Sequence, residues 1–183
     1  NNTNIFVQRL NAAGLPEWKI NGLAVTSGAV VQSGPYIVTD GSGGVIIAWN
    51  DQRDGIDADI YAQHVSAAGQ VTWSTNGVPV CKAEKGQGIT SMIADGKGGA
   101  IIAWGDYRNG VYPNIYIQHI SASGAIKWNP NGLAVCPQPN FQHLPALLIN
   151  SEGNTIVTWE DSRNGFLNIY SQMIGDVGKT KWP

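Results

Sequence analysis

One tryptophan-headed string occurs three times at a spacing of 55 residues, and it constrains the fold more than any other feature of the chain. Trp49-Asn50-Asp51-Gln52-Arg53-Asp54-Gly55, Trp104-Gly105-Asp106-Tyr107-Arg108-Asn109-Gly110 and Trp159-Glu160-Asp161-Ser162-Arg163-Asn164-Gly165 share the pattern W-x-D-x-R-x-G. A second string follows each: Asp59-Ile60-Tyr61-Ala62-Gln63, Asn114-Ile115-Tyr116-Ile117-Gln118 and Asn168-Ile169-Tyr170-Ser171-Gln172. It also stands near the start as Asn4-Ile5-Phe6-Val7-Gln8, so the chain begins in mid-repeat. A third landmark, Trp18, Trp73, Trp128 and Trp182, is followed in three copies by Asn-Gly at 21–22, 76–77 and 131–132. A unit that recurs at a fixed period of this size is one supersecondary motif that buries its faces only by stacking on its neighbours.

Turn punctuation and apolar content divide each unit into four short extended segments, A to D. In the second unit A is Tyr36–Thr39, closed by the turn Asp40-Gly41-Ser42-Gly43-Gly44, and B is Val45–Trp49. C is Ile60–Val65, closed by Ala67-Ala68-Gly69, and D runs from Gln70 through Trp73 towards Val80. B is apolar throughout, as in a strand covered on both faces, whereas C alternates as an outer strand does. The 19 Ile and 14 Val against 8 Leu, with 23 Gly, 7 Trp and 6 Tyr, suit pleated sheets joined by turns and disfavour long helices.

Four antiparallel strands per repeat predict an all-β chain built as a β-propeller of about 55-residue four-stranded blades. The recurrent tryptophans would fill the layers between blades. The repeat units fall near 4–58, 59–113 and 114–167, with a partial unit over 168–183, in one propeller segment spanning 1–183. About 3.3 repeats are too few to close a ring. The remaining blades are expected from the same longer chain or from another copy. The W-x-D-x-R-x-G…[DN]-I-Y-x-Q…G…W…N-G pattern resembles the repeats of large secreted or surface proteins of bacteria. That resemblance covers essentially the whole chain and implies a propeller fold and an extracellular or cell-surface location. It implies no catalytic residue.

Charge and hydropathy exclude two partner classes. With 11 Lys+Arg against 13 Asp+Glu the net charge is −2, which gives no electrostatic footprint for nucleic acid. No run of about 18 apolar residues is present, so membrane insertion by a helix is not predicted. Asn1-Asn2-Thr3-Asn4 has neither an initiator Met nor a signal segment, and the expectation is a chain that starts where something was removed.

The repetition also sorts candidate chemistry. Asp51, Asp106 and Asp161 with Arg53, Arg108 and Arg163 form a carboxylate–guanidinium pattern, but a catalytic group is needed once and these recur in every B–C connection. They are read as structural, like Trp49, Trp104 and Trp159, with Asp accepting turn amides and Arg pairing nearby. Asp51, Asp54, Asp57 and Asp59 make the first B–C loop acidic, yet the D-x-D-x-D-G run and terminal Glu of a calcium loop are missing, so no metal is predicted. Cys81 and Cys136 occupy equivalent positions in successive units and are expected to be unbonded buried thiols. His64 and His119 are equivalents of Arg9 and Met173 and are read as partly exposed packing. Gly41–Gly44 and Gly96–Gly99 are read as hairpin turns, not phosphate loops. No cofactor is predicted.

Antiparallel order places the D–A and B–C connections at one end of every sheet and the short A–B and C–D turns at the other. Irregular, non-repeating loops are where a repeated scaffold puts specificity. That singles out Glu84, Lys85, Phe141, Gln142 and His143 as ligand-binding candidates for a protein or glycan partner. The functional expectation is a non-enzymatic binding or scaffold module. The alternatives are a lectin-like carbohydrate-binding propeller and a fragment of a propeller enzyme such as a glycosidase or lyase.

Overall fold

A computed structural model describes residues 3–28, 30–55, 57–138 and 140–183, and every regular element among them is a β-strand. Two full sheets carry the repeat. The first has β3 (Gln32–Thr39), β4 (Val45–Asp51), β5 (Asp59–Val65) and β6 (Val78–Cys81) in that spatial order, all antiparallel. The second repeats it as β7 (Gln87–Ala94), β8 (Ala100–Asp106), β9 (Asn114–Ile120) and β10 (Leu133–Ala134). Before them β1 (Phe6–Val7) pairs with β2 (Leu23–Ala24). After them β11 (Gln142–Ile149), β12 (Thr155–Asp161) and β13 (Asn168–Ile174) form a three-stranded sheet. Below, these are sheets one to four in chain order.

The sequence dictates this locally. Val45-Ile46-Ile47-Ala48-Trp49 is a β-branched and aromatic run, and Asp40 shapes the turn that feeds it by accepting the N–H groups of Ser42 and Gly44 at 2.7 and 2.9 Å. The cross-strand register sets each motif tryptophan opposite the tyrosine of the next string: Trp49 faces Tyr61, Trp104 faces Tyr116 and Trp159 faces Tyr170.

Three apolar layers lie between successive sheets. Ile5 and Val25 of sheet one pack with Ile47, Trp49 and Tyr61 of sheet two. Ile46, Ala48 and Ile60 of sheet two pack with Ile102 and Trp104 of sheet three, and Ile101, Ala103 and Ile115 of sheet three with Val157 and Trp159 of sheet four. Polar staples repeat at the same seams. Trp18, Trp73 and Trp128 donate Nε1–H to the carbonyls of Ala67, Ala122 and Asp176 in the following sheet, at 2.9 to 3.1 Å. Gln32, Gln87 and Gln142 donate their backbone N–H to Thr3, Ala58 and Pro113 of the preceding sheet.

Two local expectations are corrected. Segment C is not an outer strand: β9 is buried along its whole length, because its edge is covered by β10 and both its faces by neighbouring sheets. Segment D is mostly irregular: in sheet two it bridges Val65 at Val71 and forms a strand only over Val78–Cys81, since its tryptophan turns away to reach the next sheet. Sheet four leaves its far face open. Ile169 is 70% exposed, whereas its equivalents Ile60 and Ile115 are fully covered.

Candidate functional site

The repeated Trp, Asp, Arg and Tyr residues meet in one cluster per sheet. Asp51 is fully buried, and its Oδ2 accepts Trp49 Nε1–H at 2.8 Å, Gln32 Nε2–H at 3.0 Å and Arg53 Nη2–H at 2.7 Å. Its Oδ1 accepts the Arg53 backbone N–H at 2.9 Å and Nε–H at 2.8 Å. The guanidinium then lies 3.6 Å over the Tyr61 ring and reaches the Asn76 carbonyl at 2.9 Å. Asp106 and Arg108 repeat the tryptophan, arginine and ring contacts at Tyr116, as do Asp161 and Arg163 at Tyr170, without the glutamine bond and, at Arg163, without a partner for Nε. Burial alone would raise the pKa of Asp51 and Asp161, but the hydrogen bonds from Arg and Trp outweigh it and hold both below the ordinary aspartate value. Every oxygen is taken and the groups face inward, so the cluster ties a loop to a sheet.

Cys81 and Cys136 sit beside these clusters as free buried thiols, with Arg108 and Arg163 donating to their sulfurs at 3.2 and 3.0 Å. Burial pushes the Cys81 thiol up to about 11. In the acidic loop, Lys82 Nζ pairs with Asp54 at 2.9 Å. Among the described residues no group of three or more His, Cys, Asp or Glu could hold a metal ion.

The five ligand-binding candidates do not form one site. Glu84 and Lys85 line an open hollow on sheet two with Asp54, Asp57 and Asp59. Phe141 and His143 lie at the start of β11, in a segment whose Pro139 falls outside the described residues. Gln142 is 0% exposed, accepts the Ile115 N–H at 3.1 Å and donates to the Cys136 and Gln138 carbonyls at 3.2 Å. It holds the D–A connection and also borders the groove between sheets three and four. Gln32, Gln87 and Gln142 recur every 55 residues, a signal hidden because the segments around them share little else beyond Pro35 and Pro145.

What the structure does bring together is a groove of about 300 Å³ between sheets three and four, at the end that carries the B–C and D–A connections. Gly88 and Gly105 line it, with Tyr107, Pro113, Phe141 and His143 around them. Its origin lies in one cross-strand pair. Ser33 opposes Asn50 in sheet two, Gly88 opposes Gly105 in sheet three and His143 opposes Glu160 in sheet four. Asn50 reaches across its seam and accepts the Ile89 N–H of the next sheet at 3.0 Å. Gly105 has no side chain with which to do the same for Leu144, so the seam opens there.

Aromatic and strained groups gather on the opening. Tyr107 is 43% exposed, the Phe141 ring lies 4.6 Å from the His143 ring, and Tyr112 meets Phe141 edge-on at 6.3 Å. His143 Nδ1 lies 3.4 Å from Glu160 Oε2. Leu144 holds φ +50 and is 63% exposed, a left-handed conformation that costs a non-glycine residue on the order of 1 kcal/mol and concentrates at functional sites.

The opposite end has a different pattern that the sequence reading missed. His64 Nε2 contacts Asp40 at 2.9 Å, and His119 Nε2 contacts Asp95 at 2.9 Å. Burial alone would raise the pKa of each carboxyl, but hydrogen bonds from the histidine and the turn amides hold both below the ordinary value. Both His and both Asp recur at 55 residues, and that joint recurrence marks a structural pair; His119 is buried, not partly exposed.

No family model matches the chain, and no curated protein matches it in sequence. Solved structures do. An endo-arabinase from Bacteroides thetaiotaomicron is similar with a TM-score of 0.51 and 13% identity, over 80% of this chain and 58% of that one. An endo-1,4-β-xylanase from the same organism has a TM-score of 0.48 and 10% identity, over 91% of this chain and 58% of that one. The chain thus spans little more than half the length of the structures it resembles, and the likeness is one of fold. It corrects the expectation of a non-enzymatic module: an enzyme is built on this arrangement of sheets, so the architecture gives no ground for denying an activity.

Proposed function

We propose that the chain is a β-propeller segment of a bacterial secreted or surface protein that acts on or holds carbohydrate, and that the groove between sheets three and four receives the saccharide. The propeller reading is supported by the constant stacking of each sheet on the last and by the open apolar face of sheet four, where Ile169 awaits the cover that Ile60 and Ile115 have. Further sheets, from a longer chain or a second copy, would supply that cover. The fold shared with the endo-arabinase supports carbohydrate over protein as the ligand class.

One observation carries the site. Within a scaffold whose positions repeat, the groove combines a glycine pair on one wall with Phe141 and His143 on the other, and neither occurs at the equivalent places in sheet two. Rings and a proline offer an apolar surface for the C–H face of a sugar, and a few convergent polar groups fix its orientation. Glycoside hydrolysis uses two carboxyl groups. The groove has Glu160 at its edge, so an acid partner for cleavage would come from outside the groove's lining.

Affinity electrophoresis through gels containing linear arabinan or xylan tests this reading. Retardation of the native protein, reduced in Phe141→Ala and His143→Ala variants with unchanged melting temperature, is the expected result. Equal mobility in all gels would contradict it.

A further inference from the structure

The hollow over Gly88 and Gly105 is more specific than a groove for saccharide in general. We infer that it is a subsite for one uncharged sugar ring, selecting neutral over acidic saccharides; this rests on the reading above that the groove receives carbohydrate.

Three observations build the inference. First, the hollow is made by missing side chains and not by a gap in the fold. Gly105 alternates along β8 with Ala103, which packs in the layer against sheet four, so its absent side chain would point across the seam. A Cβ on Gly88 would meet nothing within 4 Å, and one on Gly105 would meet only the Pro113 Cβ at 3.4 Å. Neither glycine has a positive φ, so the backbone does not require them. Glycine within a strand weakens it, and a strand pair with two glycines opposite each other and no conformational need for them gains space there.

Second, the lining has no fixed positive charge. Neither Lys nor Arg borders the hollow, and the Glu160 carboxylate lies beside the lining residue His143. A uronate or phosphorylated sugar would bring a second negative charge towards Glu160 with no guanidinium to receive it, and like charges brought together at a binding surface are strongly disfavoured. A neutral ring meets Tyr107, Pro113 and Phe141 with its C–H face and offers hydroxyls to His143.

Third, this seam lacks the side-chain acceptor that its sister seam has. In sheet two the Asn50 side chain accepts the Ile89 N–H, while the equivalent Leu144 N–H has no such acceptor from Gly105. A sugar hydroxyl in the hollow takes the place of the Asn50 carbonyl oxygen. The left-handed Leu144 sits at this point, its side chain turned out to solvent.

The test transplants sheet two's pair into sheet three. Gly88→Ser with Gly105→Asn fills the hollow with the residues that sheet two carries as Ser33 and Asn50, and Tyr107→Ala serves as a second variant on an exposed ring. Calorimetric titration with a linear arabino-hexasaccharide, a xylo-hexasaccharide and an oligogalacturonate of equal length reads the result. We expect one of the neutral sugars to bind roughly ten-fold or more tighter than the acidic one. The filled variant should lose roughly ten-fold or more of that affinity while its melting temperature stays level or rises, and Tyr107→Ala should weaken binding with the fold intact. Acidic sugar bound as tightly as neutral, or full affinity in the filled variant or in Tyr107→Ala, overturns the subsite and leaves the broader reading standing. No binding of any of the three sugars overturns both.

Discussion

Gly77 lies directly against the indole of Trp49: a Cβ added at Gly77 would come within 2.6 Å of Trp49 Cη2 and 2.8 Å of the Ala62 carbonyl. With φ +88 at Gly77 and +63 at Asn76, the Asn-Gly pair makes a left-handed turn that lets the chain pass over the ring. This contact explains why a tryptophan and an Asn-Gly 27 residues later travel together through the repeats. Trp49→Ala should destabilise the protein by about 3–5 kcal/mol, and Gly77→Ala by about 1–3 kcal/mol. The double variant should cost less than the sum, because the cavity left by the indole admits the new methyl. Chemical denaturation of the four proteins checks it; strict additivity would deny the contact.

The buried Asp51 and Asp161 give stability an acid limit. Both have folded pKa values below the ordinary 3.8, so the unfolded chain takes up protons first as pH falls. Their contribution is fully present above about pH 4 and is lost as pH drops through the lowered folded values. Melting temperature should therefore fall steeply below about pH 4. Asp51→Asn should cost about 2–3 kcal/mol at pH 7 by weakening the bonds from Arg53 and Trp49, and its acid dependence should be shallower than that of the native protein. Thermal melts between pH 2 and 7, on the order of one per unit, decide the matter.

Asp59 is the reverse case. Burial raises its pKa, Lys82 opposing it only in part, whereas the equivalent Asn114 donates Nδ2–H to the Gln138 and Asn140 carbonyls at 2.8 and 3.3 Å. A folded pKa above the unfolded one favours the protonated form, so stability is lost as pH rises through it. Asp59→Asn should stabilise by about 0.5–1.5 kcal/mol at pH 7, with the advantage shrinking towards pH 3. A destabilised variant would show that the carboxylate has a partner role the asparagine lacks.

What was legible in the sequence is what repeats. The tryptophans, the W-x-D-x-R-x-G strings and the hairpin turns recur with their surroundings, and the layers, clusters and turns follow from them. The holding role of Gln142 was hidden because little around the recurring glutamine repeats, although the D–A connection keeps its length from copy to copy. The glycine pair was invisible for another reason. Gly88 and Gly105 become neighbours only through the ladder between β7 and β8, whose register shifts between Ile89 and Ser91. The open seam appears only when Asn50 is seen crossing the equivalent one. The His64–Asp40 and His119–Asp95 pairs join strands 24 residues apart, which no local pattern reports.

The central claim is that repeated residues hold the scaffold while the unrepeated seam between sheets three and four takes the ligand. Amide chemical-shift mapping during titration with a linear arabino-hexasaccharide tests it most directly, because glycine amides are well resolved and the two ends of the sheets report separately. The account predicts the largest shifts at Gly88, Gly105 and Leu144, with those of Gly41 and Gly96 at the opposite end unmoved. Shifts concentrated at the Asp40 and Asp95 turns, with Gly88 and Gly105 silent, would contradict it.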